Sequence, residues 1–120
     1  MTIRRMKTYT GGQGYVYQYY YVGKRRVPVK AGRDAATEYI FDVTSDRKTT
    51  FAVGVFLADT AVQAWAARHG RPLTDAEQYG AVKMRLFAAF DEIADLMSEG
   101  RQLSVDPEIL EKALATLGVD

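Results

Sequence analysis

The spacing of apolar residues changes once along this chain, and that change limits the fold more than any other feature. Between Tyr15 and Leu57 aromatic and β-branched side chains recur at alternate positions; from residue 58 onward apolar residues recur every three or four. A period of two marks a strand with one buried face, and a period near 3.6 marks a helix with one buried stripe. Strands followed by helices predict an α+β fold, an antiparallel sheet of three to four N-terminal strands packed on C-terminal helices. At 120 residues the chain reads as a single domain over 1–120, long enough to bury one core.

The expected strands cover about 15–22, 25–30, 37–44 and 49–57. In the first, Tyr15, Tyr17, Tyr19 and Tyr21 share one face. A turn at Gly23-Lys24 or Lys24-Arg25 leads into the second, where Pro28 has no N–H for a ladder and so implies an edge position. Thr37, Tyr39, Phe41 and Val43, then Phe51, Val53, Val55 and Leu57, form the alternating set of a hairpin closed by the polar turn Ser45-Asp46-Arg47-Lys48. Its odd-numbered side chains are expected to face the core. Gly54 inside the return strand marks a bulge or a close approach of another backbone.

Helices are expected over about 60–69, 75–98 and 107–117. Asp59 or Thr60 starts the first and Gly70 stops it; Val62, Trp65, Ala66 and His69 hold core spacing. Thr74-Asp75-Ala76-Glu77 is a capping box, and Asp106-Pro107 sets a cap before a proline at the first helical position. The 75–98 helix is apolar over so much of its circumference that it needs cover on more than one side. That cover, or the apolar face of the third helix, suggests a homodimer, formed through helices or through an edge strand carrying Tyr19 and Tyr21. Residues 1–14, with Gly11, Gly12 and Gly14 in close succession, read as a flexible arm.

Charge is where a partner first comes into view. The formal net charge is +1, yet residues 1–33 hold eight basic residues and no acid, while the remainder carries −7. Lys24, Arg25, Arg26, Lys30 and Arg33 are therefore candidate polyanion-binding residues, with Tyr15, Tyr17, Tyr19 and Tyr21 as candidates for stacking or for an interface. Basic groups displace counterions from phosphates, and aromatic faces stack on unpaired bases. Nucleic acid or another polyanion is one expected partner; a second copy of the chain is the other.

Other chemistry finds little footing. With no Cys there is no disulfide framework, thiolate metal site or Cys nucleophile. Gly11-Gly12-Gln13-Gly14 precedes a strand rather than a helix and lacks the lysine of a phosphate loop. His69, the single histidine, reads as a helix C-terminal group. Asp91, Glu92, Asp95 and Glu99 read as a solvated acidic helix face, or as a partner for Arg33 or Arg47, rather than a metal site. No catalytic, cofactor-binding or metal-binding residue is assigned. The chain reads as a cytoplasmic, non-enzymatic binding or interaction protein with no membrane span; a small-ligand or enzymatic role has no motif behind it.

Overall fold

The computed structural model describes residues 5–12 and 14–120. Five strands form one sheet in the order β1-β2-β3-β4-β5: β1 Lys7–Thr10, β2 Val16–Val27, β3 Ala36–Thr44, β4 Phe51–Ala58 and β5 Gln102–Val105. The helices are α1 Asp59–His69, α2 Asp75–Glu92, α3 Leu96–Glu99 and α4 Pro107–Thr116. The first four strands pair antiparallel, and β5 returns after three helices to pair parallel with β4. The α+β class expected from the change of period is observed, with an unexpected fifth strand, β5, between α3 and α4.

The alternation in the β3–β4 hairpin decides which face is buried. Tyr39, Phe41, Val43, Phe51, Val53, Val55 and Leu57 are all buried and form the sheet side of the core. Trp65, Val82, Leu86, Phe90, Leu110 and Leu114 cover them from α1, α2 and α4. The capping box forms as its spacing predicts: the Glu77 N–H donates to Thr74 Oγ1 at 3.2 Å, and the Thr74 N–H donates to Glu77 Oε1 at 2.9 Å. Asp106 caps α4 by accepting from the Ile109 N–H at 2.8 Å. The apolar residues of α4 dock on the same body, against α1, α2 and β5. The fully buried residues of both helices thus find cover within the chain, while Tyr79, Met84, Phe87 and Ile109 stay half-buried; Tyr19, expected on an edge strand, pairs with β1 on one side and β3 on the other.

Four expectations change. Residues 1–4 and 13 of the stretch read as an arm lie outside the described residues, but Lys7–Thr10 pair with Val16–Tyr19 as a strand. Tyr9 and two threonines favour extended backbone, and the glycines close the hairpin, with the Gly11 N–H donating to Tyr15 O at 2.8 Å. The turn expected at Gly23–Arg25 is absent, so the stretches 15–22 and 25–30 merge into the twelve-residue β2, which ends before Pro28. Its register slips between Tyr21 and Gly23, leaving Val22 as the extra residue of a bulge. The 75–98 helix stops at Glu92: Ile93 is extended, and Asp95 caps the short α3 by accepting from the Ser98 N–H. That break lets Leu96 reach the core and turns the chain toward β5. Finally, Ala58 rather than Asp59 or Thr60 is the first residue before α1, because the Asp59 carboxylate is held by Arg26.

Phe90 is the residue on which sheet and α2 meet most closely, with its ring stacked on Tyr17 at 4.4 Å. Removing a buried aromatic ring costs about 3–5 kcal/mol through lost contacts and the cavity left behind. Phe90→Ala is expected to lower the unfolding free energy by that amount in urea denaturation, and a loss below about 1 kcal/mol would place Phe90 outside the core.

Candidate anion-binding surface

The bulge in β2 reassigns the basic residues to different faces. Before it, the odd residues Tyr17, Tyr19 and Tyr21 point toward α2; after it, Lys24 lies opposite Tyr39 and so joins that same face, while Arg25 lies opposite Glu38 on the other. Arg25 Nε donates to Glu38 Oε1 at 2.7 Å. Arg26 forms a two-pronged pair with Asp59 of α1 and also donates to Thr37 Oγ1. This pairing pulls the Asp59 carboxyl below its ordinary range. Arg33 closes a tight turn with Lys30 through paired backbone hydrogen bonds, and its guanidinium covers the Phe56 ring at 5.2 Å. The five candidate cations are placed differently: Arg25 and Arg26 are ion-paired within the chain while their side chains stay largely exposed, Arg33 lies over the Phe56 ring, Lys24 lies over the Tyr39 ring, and Lys30 makes no ion pair among the described residues.

The tyrosines separate as well. Tyr17 and Tyr19 are buried, with Tyr19 edge-on to Phe41 and Phe87, so neither face is open to a base. Tyr21 is half-buried against Tyr79 and Phe41. Only Tyr15, at 54% exposure, stands in solvent. The alternation that suggested a stacking ribbon is instead the alternation of a core strand, and Tyr17 and Tyr19 are corrected to core residues. Burial pushes the hydroxyls of Tyr17, Tyr19, Tyr21 and Tyr79 up, and that of Tyr39 up to about 12.

A different group of cations comes together where β1 and β2 meet α2. Lys83 Nζ stands 5.8 Å from the Tyr19 ring, 5.6 Å from Tyr79 and 5.7 Å from Phe87. Lys7 lies directly across the ladder from Tyr19, and its charge acts on the Tyr19 hydroxyl. Lys24 Nζ stands 5.6 Å from the Tyr39 ring. None of the three has a carboxylate within ion-pair distance among the described residues. Lys7, Lys83 and Lys24 thus make a lysine row on the helix-packed side of the sheet, with Lys83 and Lys24 over ring faces and Lys7 across the ladder from Tyr19. Ring faces hold ammonium groups through their negative face without cancelling their charge. Lys7 belongs to the acid-free segment but Lys83 does not; its signal is the spacing Tyr79-Lys83-Phe87, which places all three on one helix face.

The remaining candidates hold the structure together. Asp91 pins the β1–β2 hairpin, accepting from the Tyr9 hydroxyl at 2.6 Å and from the Gly12 N–H at 3.3 Å. Asp95 is spent as a cap, and the helix break separates Glu92 from Asp95 and Glu99, which a continuous helix would have aligned. His69 stacks on Trp65 at 4.1 Å and meets both Glu111 oxygens at 3.0 Å, joining α1 to α4. Arg71 joins this cluster, its guanidinium 4.9 Å from the Trp65 ring, and grips Glu77 through two hydrogen bonds.

Comparison with protein-family models, with curated proteins and with solved structures gives no match to this chain. Among the described residues no helix is long and apolar enough to cross a membrane.

Arg71 and the Thr74 backbone hold the Glu77 carboxyl at about 2, below its ordinary 4.5. A carboxyl whose pKa is lower in the folded state stabilises the fold fully above the unfolded value, and that contribution is lost as pH falls from about 4.5 toward 2. Thermal unfolding across this window is expected to show a steeper acid loss for the wild type than for Glu77→Gln. Parallel Tm profiles would show that the pair contributes nothing to acid stability.

Proposed function

We propose that this protein binds an anionic chain through backbone charge, with a nucleic-acid phosphate backbone as the ligand chemistry and Lys7, Lys24 and Lys83 as the contacting groups. The observation that carries this reading is the row of three unpaired ammonium groups beside a set of arginines that have partners within the chain. Like charges gathered without a counter-charge repel, and a bound polyanion relieves that repulsion while releasing its own counterions. Lysine suits the task because its ammonium is a mobile point charge, whereas the planar guanidinium favours fixed, two-pronged pairs such as Arg26–Asp59.

The same geometry argues for phosphate contacts over base stacking. The rings that line the row are buried or already carry Lys83 on their faces. Binding on this reading is insensitive to base identity, and the rings serve to position the cations.

Fluorescence anisotropy with labelled oligothymidylate and oligoadenylate tests it. Each neutralised phosphate on a single strand contributes about 0.7 to the slope of log affinity against log salt, so three lysines predict a slope of about −2 for both oligomers. Lys83→Gln and Lys24→Gln are each expected to remove about 0.7 from that slope, while Arg26→Gln leaves it unchanged. A flat salt dependence, or an Arg26→Gln effect equal to that of Lys83→Gln, would refute the lysine row as the contact surface.

A further inference from the structure

A second feature, independent of the lysine row, starts from a core residue whose polar end has no partner. Tyr17 is only 5% exposed, and its ring is stacked on Phe90 at 4.4 Å. Polar groups carried into a core are ordinarily hydrogen-bonded, so one left over calls for a reason. The Tyr17 hydroxyl has no hydrogen-bond partner among the described residues. Burial, then the charges of Tyr15 and Asp95, push that hydroxyl up, and Asp95 stands on the same cavity that Tyr17 lines. With its ring face closed by Phe90, Tyr17 turns its hydroxyl end to this cavity.

The cavity, of about 160 Å³, lies where the β3–β4 turn meets the break between α2 and α3. The turn supplies Ser45, Asp46 and Thr49, and the break supplies Asp95 and Met97; Phe51 joins Tyr17 in the wall. Each carboxylate is fixed through one oxygen. Asp46 Oδ1 accepts from the N–H groups of Lys48 and Thr49, both at 2.8 Å, and Asp95 Oδ1 accepts from the Ser98 N–H at 3.3 Å. These backbone bonds hold the Asp46 carboxyl below its ordinary range, so it is ionised at neutral pH. Oδ2 of each aspartate receives no hydrogen bond from a described residue, and neither aspartate has an ion-pair partner among them. No Lys, Arg or His lines the cavity.

The geometry points to a binding site for a small primary ammonium group, with the Tyr17 hydroxyl oxygen, Asp46 Oδ2 and Asp95 Oδ2 as its three acceptors. An ammonium brings three donors and the positive charge that the lining lacks. A cavity of about this volume admits a benzene ring, so a short alkyl chain fits beside Phe51 and the adaptable Met97. Calcium matches less well: it takes about six to eight oxygens, and each carboxylate here has one left to give. The ligand chemistry is shared by a free alkylamine and by the lysine side chain of a partner polypeptide, and two probes separate these sources.

Amide chemical-shift titration of the isotope-labelled protein with n-butylammonium at neutral pH is expected to give saturable shifts centred on Asp46, Thr49, Asp95 and Met97. Tyr17→Phe keeps the ring on Phe90 and removes only the hydroxyl; it is expected to weaken binding by about threefold or more, the scale of one hydrogen bond, with Tm unchanged. Asp46→Asn keeps the oxygen that accepts from the turn and removes the charge, and a loss of about tenfold or more is expected. Tetramethylammonium carries the same charge without an N–H donor and is expected to bind at least about tenfold more weakly than butylammonium. A lysine-containing tetrapeptide with blocked termini that binds more tightly than butylammonium assigns the cavity to a partner's lysine; the reverse order assigns it to a free amine. No saturable shift, shifts centred on Asp91 and Glu92 instead, an unchanged affinity in Tyr17→Phe or in Asp46→Asn, equal binding of tetramethylammonium, or displacement of butylammonium by equimolar calcium would each overturn the proposal.

Discussion

The contact between Phe87 and Phe90 of α2 and the tyrosines of β1 and β2 sets the position of nearly everything else. Tyr9 stacks on Phe87 at 4.6 Å and Tyr17 on Phe90 at 4.4 Å, so two neighbouring strands are tied to one helix by paired rings. Aromatic pairs of this kind bury large areas and also restrict angle. Because α2 is fixed to the β1–β2 side of the sheet, its opposite flank is left for α4, and the chain between them is free to return as β5 beside β4. The same stack turns what looked like a binding ribbon into core. A tyrosine face occupied by phenylalanine has no surface left to offer a ligand.

Charge in this protein is sorted by chemistry as well as by sign. Its arginines are largely consumed: Arg25 on Glu38, Arg26 on Asp59, Arg71 on Glu77, with Arg85 and Arg101 on backbone carbonyls. Each of these joins elements distant in sequence or secures the approach to a helix, as a planar group with several fixed donors does well. Lys24 and Lys83 are placed over rings instead. A near-neutral sum therefore conceals an arginine set with internal partners and a lysine row without ion-pair partners among the described residues.

The two faces of the sheet differ in a way that follows from one bulge. The slip at Val22 reverses the alternation of β2, sending Lys24 to the helix side and Arg25 to the far side. Without it, Lys24 would leave the lysine row and Arg25 would leave Glu38. A single extra residue thus supplies both the third member of the proposed anion surface and the ion-pair partner of the buried Glu38.

Local signals were legible in the chain itself. The change from period two to a helical period, the buried odd positions of residues 39–57, the Thr74–Glu77 box and the Asp106-Pro107 start depend on residues within a few positions of one another, and all appear as their spacing implies. What required the tertiary structure were choices between locally equivalent outcomes. Gly23-Lys24 serves a turn or a bulge equally well, and pairing with β3 along its whole length selects the bulge. Residues 93–95 could have continued a helix, and the gain from seating Leu96 in the core ends it. Which cations are neutralised depends on partners as remote as Arg26 and Asp59, and the lysine row depends on β1, β2 and α2 meeting. Periodicity and capping act over one or two turns of chain, whereas the pairing of charges and the docking of rings are settled only when distant segments compete for the same space.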